Sequence, residues 1–333
     1  MKGSLATLLA LVCFFATHAA IASAVSGRAE LRLLPDSTEA QKFAHFRAHA
    51  DEYELVFVGT SRVFRGFDPA TFDASMAERG HALHSYNFGL LGMGFLEERY
   101  VVEWILACHP ARLRWILIEP TERSAPWIAR PIVLGHGNEF ALRDVLWHTP
   151  AITLASLESV WSSERTLAHK LQFTRSHLLH GAHRLCNVGV GAGLLARWLA
   201  PGPPAAPLPE GFEGRDEPGD NEVVLTGPRE PEATDPSPFP WQTLSALARR
   251  VESAGAHALF VIPPAGKSLA LYEQARARGE LPQLLTFPLD SVPELRADAR
   301  AYFYDPEHLD VRGAQLFSRL LAERLAAEMG SER

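Results

Sequence analysis

The chain has 333 residues, enough for one large domain or two smaller ones with a sizeable core. A formal net charge of −7 removes the electrostatic case for nucleic acid binding, and an apolar fraction of 47% is that of a globular protein. Three cysteines, at 13, 108 and 186, do not form a zinc-site pattern.

The first 24 residues read as a secretory leader. Lys2 supplies the basic start, Leu5 to Ala16 the apolar stretch, and Ala22-Ser23-Ala24 a small-x-small cleavage site. Cleavage there leaves Val25 as the first mature residue. The alternative is an uncleaved membrane anchor, because the apolar stretch continues to Val25 and about 20 apolar residues span a bilayer. Either way the remainder is expected outside the cytoplasm, periplasmic or secreted. There Cys108 and Cys186 are either a disulfide or two buried thiols.

Residues 31–50 are a polar, helix-patterned lead-in. The first strand is expected over 54–59, "ELVFVG", followed by a turn at Gly59 that presents Thr60, Ser61 and Arg62. Asp68-Pro69 reads as an N-cap with proline at the first helical position, and Gly80 closes that helix. A second strand is expected over 84–89, a helix over 96–109 and a third strand over 112–120. Strands alternating with helices imply a parallel sheet covered on both faces.

Residues 123–200 break this rhythm and read as a helical insertion. His177, His180 and His183 within it drift around a helix at a spacing that fits a solvated face better than a metal ligand set. Residues 201–240 hold 11 of the 24 prolines, a composition that cannot bury a core, and are expected to be a disordered loop. The α/β pattern resumes over 241–333. It comprises a helix to about residue 254, a strand over 257–264, a helix over 267–278, a short strand within 284–290, and a last helix from about 311 to 328.

Three short blocks fall at the carboxyl ends of strands or just before the last helix. Ser61 follows the first strand. Asn87, Gly89 and Gly92, in "YNFGLLG", end the second. Asp305 and His308, in "YDPEHLD", lie on a loop before the last helix. A carboxylate three residues before a histidine can hold Nδ1–H and leave Nε2 for a serine hydroxyl. A glycine N–H after the second strand is placed to approach a reacting carbonyl oxygen.

This set resembles the SGNH hydrolase superfamily, the GDSL-like esterases and acyltransferases. The likeness covers about residues 52–122 and 241–328. It rests on Gly59-Thr60-Ser61, on Asn87-Phe88-Gly89-Leu90-Leu91-Gly92 and on Asp305-Pro306-Glu307-His308. The resemblance implies an α/β fold, a three-layer α/β/α sandwich of flavodoxin-like type with about five parallel strands. It implies Ser61, Asp305 and His308 as catalytic residues, with Ser61 and Gly89 N–H groups as oxyanion donors. The chain departs from the pattern in two places. Thr60 stands where an Asp is usual, and 118–122, "IEPTE", lacks the Asn that usually supplies a further oxyanion donor. Losing one such donor costs about 3 kcal/mol. Thr121 and Asn87 are the candidate replacements, and Arg62 is a candidate for binding an anionic substrate group or for packing the turn.

The function expected is therefore a secreted serine esterase that removes O-acyl groups, acetyl groups on carbohydrate among them, through an acyl-enzyme. No metal or organic cofactor is needed. The partner is a small acyl ester or acylated glycan. The alternatives are an O-acyltransferase with the same triad and a non-catalytic envelope protein, since the departures also resemble extracytoplasmic SGNH-like proteins linked to cell-envelope acyl transfer.

Overall fold

The computed structural model describes residues 2–27, 38–93, 95–120, 208–215, 239–264, 270–281, 284–305 and 307–331, with scattered positions between 154 and 200. The chain divides into two units, one of residues 1–45 and 125–206, the other of 46–124 and 207–333. His177, His180, His183, Cys186 and Thr121 lie outside the described residues.

In the first unit, helix α1 (Lys2–Gly27) leaves Leu5, Leu8, Leu9, Phe14 and Phe15 exposed. Among the described residues, no helix is long and apolar enough to cross a membrane. Helix α2 (Thr38–His49) crosses the boundary between the units.

The second unit is built on five parallel strands: β1 (Leu55–Gly59), β2 (Ser85–Gly89), β3 (Trp115–Ile118), β4 (His257–Ile262) and β5 (Leu284–Thr286). Their order is β2-β1-β3-β4-β5. Every residue of β1, β2 and β3 is buried, which is why β1 and β3 read as continuous apolar runs without alternation. The register pairs Gly59 with Gly89 across β1 and β2, and Val58 with Ile118 across β1 and β3.

Between these strands lie α3 (Ser61–Gly66), α4 (Pro69–Glu78), α5 (Phe95–Ala107), α6 (Phe239–Ser253) and α7 (Ala270–Ala277), and α8 (Pro293–Asp298) follows β5. A hairpin of β6 (Phe303–Asp305) and β7 (His308–Leu309) leads into α9 (Val311–Ser331). One sheet face is covered by α4 and α9. Leu55, Phe57, Trp115, Leu117, Leu259 and Val261 form a single core there with Phe72, Met76, Leu316 and Leu321. Alternate strand residues point the other way, where α5 packs on β1 and α6 on β4. This is the three-layer α/β/α arrangement expected from the sequence.

The expected disordered loop is ordered in part. Residues 208–215 include a 3-10 turn (Pro209–Gly211) followed by irregular chain. Tyr53 donates its hydroxyl to Glu210 at 2.6 Å, and the Val311 N–H bonds the Arg215 carbonyl at 3.1 Å. Gly211, at φ +79°, sits so close to β2 that a Cβ there would lie 2.2 Å from the Asn87 carbonyl oxygen. The physical reason is that β2 is an edge strand and needs cover.

Candidate active site

The strand order reverses direction at β1, whose neighbours are β2 on one side and β3 on the other. Open α/β sheets place ligands at such a switch point, beyond the carboxyl ends of the strands. Ser61 and Glu119 sit there, one residue beyond the turn after β1 and one residue beyond β3.

Gly59 is required for closeness and not for a positive φ. A Cβ there would come within 2.3 Å of Val63 and 2.7 Å of the Glu119 carboxylate. Thr60 then caps α3, its hydroxyl accepting the Arg62 N–H at 3.2 Å, so Ser61 is the first residue of a helical turn. Its own N–H, as the first of that helix, has no intrahelical acceptor.

The base comes from the other end of the chain. Asp305 ends β6 and His308 begins β7, so the pair expected on a loop spans the tight turn of a hairpin. Asp305 Oδ1 accepts the N–H groups of Glu307 at 2.8 Å and His308 at 2.9 Å, which fixes the turn. Both Asp305 oxygens lie 2.8 Å from His308 Nδ1, and His308 Nε2 lies 2.7 Å from Ser61 Oγ. An imidazole protonated on Nδ1 donates to Asp305 and accepts the Ser61 hydroxyl on Nε2. Asp310 caps α9 by accepting the Gly313 N–H at 2.8 Å. Gly313 lies so near the hairpin that a Cβ would meet the Tyr302 carbonyl at 2.1 Å. The Tyr304 ring runs nearly parallel to that of His308, 5.4 Å between centroids, and Arg65 and Arg215 both stand over Tyr304.

Two assignments of oxyanion donors are corrected. Gly89 N–H donates to Asn87 Oδ1 at 2.8 Å, inside the protein. Gly89 is instead the point where α3 crosses β2, since a Cβ would lie 2.2 Å from the Phe64 nitrogen. Asn87 is fully buried, and its amide donates to the carbonyls of Val63, Phe64 and Phe67 at 2.8, 3.3 and 2.7 Å. It ties α3 to the sheet and does not face a ligand. Gly92, in the turn after β2, is exposed at φ +62°.

Glu119 was not expected. It is fully buried and accepts both the N–H and the hydroxyl of Thr60, at 2.7 and 2.8 Å, while pairing with Arg62 Nη2. Arg62 is therefore buried as well, only 6% exposed. Burial works against its charge, and Glu119, with Tyr272 and Glu307 beyond it, holds the guanidinium above its ordinary value. An acid directly after the apolar run "WILI" was the available signal, because such a residue is buried wherever a parallel strand ends inside a crevice.

Among the described cysteines, Cys13 and Cys108 carry no disulfide, and burial pushes the Cys108 thiol up. No family model matches the chain, and no curated protein matches it.

Proposed function

We propose that the chain is an SGNH-like serine esterase that removes O-acyl groups through an acyl-enzyme on Ser61. One observation carries this reading: Ser61 Oγ, His308 and Asp305 form a continuous hydrogen-bonded line of 2.7 and 2.8 Å, although Ser61 and His308 are 247 residues apart. In this mechanism His308 takes the serine proton as Ser61 attacks. It then returns the proton to the leaving alcohol, and afterwards activates water against the acyl-enzyme. Asp305 holds the imidazole in the tautomer that leaves Nε2 free to accept. The Ser61 N–H is one oxyanion donor. The substrate class favoured is a small acyl ester, acetyl groups on carbohydrate among them, met outside the cytoplasm.

The test is labelling of Ser61 by a fluorophosphonate probe, together with release of acetate from an activated acetyl ester. Labelling that is lost in Ser61→Ala supports the reading, and undiminished hydrolysis by Ser61→Ala overturns it. The same assay run with and without a sugar acceptor separates hydrolysis from acyl transfer.

A further inference from the structure

The turn that presents Ser61 has most of its donors engaged. Thr60 gives its N–H to Glu119, and Arg62 gives its own to the Thr60 hydroxyl. Val63 and Phe64 bond back to the Thr60 carbonyl, Leu90 bonds Gly59, and Gly89 bonds Asn87. A carbonyl attacked by a serine becomes an alkoxide, and that charge needs donors set in place beforehand.

A strong donor is left over on the residue next to Ser61. Among the described residues Arg62 Nη1 is buried and has no hydrogen-bond partner, while Nη2 of the same group pairs with Glu119. A buried guanidinium edge without an acceptor is destabilising, so its presence asks for an acceptor that arrives with a ligand. Glu307, the residue before His308, also lies within electrostatic reach of the guanidinium. The pairing of Nη2 with Glu119 sets the group beside the end of β3, on the residue that directly follows Ser61.

We propose that Arg62 is a catalytic residue whose Nη1–H receives the negative charge on the acyl carbonyl oxygen. This rests on the esterase reading above. Ser61 Oγ bonds the carbonyl carbon as its proton passes to His308 Nε2, and the C=O π pair moves onto oxygen, facing Arg62 Nη1–H and Ser61 N–H. Collapse restores the C=O bond, breaks the bond to the leaving alkoxide, and gives that alkoxide the proton from His308. Glu119 supplies the buried anion that keeps a cation at this place and fixes which edge of the guanidinium is presented.

The experiment is the rate of Ser61 labelling by a fluorophosphonate, in which Ser61 Oγ bonds phosphorus, fluoride leaves and the serine proton goes to His308. Full-length wild type, Arg62→Gln/Glu119→Gln and Arg62→Lys are compared. The double variant removes both charges, so no buried ion is left unpaired. The expected result is labelling slowed about a hundredfold in the double variant, with thermal unfolding near wild type. Arg62→Lys keeps a cation for Glu119 but offers no second edge, and labelling slowed more than about tenfold is expected. This variant decides the matter if the double variant fails to fold. Wild-type labelling rates in the folded variants overturn the role of Arg62 and leave the triad standing. No labelling of wild type overturns both.

Discussion

Glu119, at the end of β3, accepts both the backbone N–H and the hydroxyl of Thr60, so the turn before Ser61 is held from the neighbouring strand. The same carboxylate balances the buried Arg62 charge. Two buried ions and one serine turn are in this way a single unit.

Breaking that unit from one side is expected to be costly. Glu119→Ala leaves Arg62 buried and uncompensated, with a destabilisation of about 3–5 kcal/mol. Arg62→Gln/Glu119→Gln recovers most of this loss, because neither ion then remains. Urea unfolding of the variants measures both, and equal losses in Glu119→Ala and the double variant would contradict the pairing.

The triad makes unequal demands on its members. Ser61→Ala abolishes acyl-enzyme formation, and His308→Ala is nearly as damaging because the two act together. Asp305→Asn is expected to lower turnover by about 10⁴-fold through the wrong imidazole tautomer. Turnover of an activated acetyl ester by the three purified variants is the measurement.

Asn87 and Gly89 are expected to show themselves in stability before activity. Asn87→Ala leaves the carbonyls of Val63, Phe64 and Phe67 and the Gly89 N–H without this partner, at a cost of about 3 kcal/mol or more. Gly89→Ala places a methyl group 2.2 Å from the Phe64 nitrogen and displaces α3. Thermal melts test this. A wild-type melting temperature in either variant would refute the structural role.

Asp73 gives a pH dependence whose sign is fixed. Burial, partly offset by hydrogen bonding from Ser85, pushes its carboxyl up to about 6. The folded state therefore binds this proton more tightly than the unfolded state, whose carboxyl titrates near 3.9. Between those values the folded protein loses stability from Asp73 as pH rises, and above about 6 the full penalty stands. Asp73→Asn is expected to stabilise the protein by about 1–3 kcal/mol at pH 7, with the gain shrinking towards pH 4. Urea midpoints at pH 4, 5.5 and 7 check it, and a gain that grows on acidification would reverse the assignment.

The leader has a separate outcome. Exported protein is expected to begin at Val25, read by N-terminal sequencing. Met1 retained in a membrane fraction would instead identify the anchor.

The strands were legible because a parallel strand buried on both faces is a run of apolar residues, as in "LVFV" and "WILI". Ser61 and the Asp305–His308 pair were legible because chemistry-bearing residues stood at strand ends or before the last helix. Sequence does not show where a backbone N–H points. The sequence therefore marks Gly89 as a donor to substrate, whereas Asn87 two residues earlier takes that hydrogen bond. At Gly59 the sequence suggests torsional freedom, whereas the Glu119 carboxylate against it is a contact across 60 residues. The hairpin was hidden by the shortness of its strands, three and two residues, although Asp-Pro at its turn favours such a reversal. In the proline-rich stretch, composition averaged over 201–240 concealed the residues that Tyr53 and Val311 tie down.

The hairpin that carries His308 docks on a serine turn complete by residue 66, and its histidine lies 247 residues after Ser61. On the proposed mechanism, synthesis makes the nucleophile long before its base. A nascent or C-terminally clipped chain holds an ordinary serine hydroxyl, inert towards esters and towards fluorophosphonate. Reactivity at Ser61 then reports the docking of that hairpin, so a reagent for the site doubles as a chemical gauge of folding.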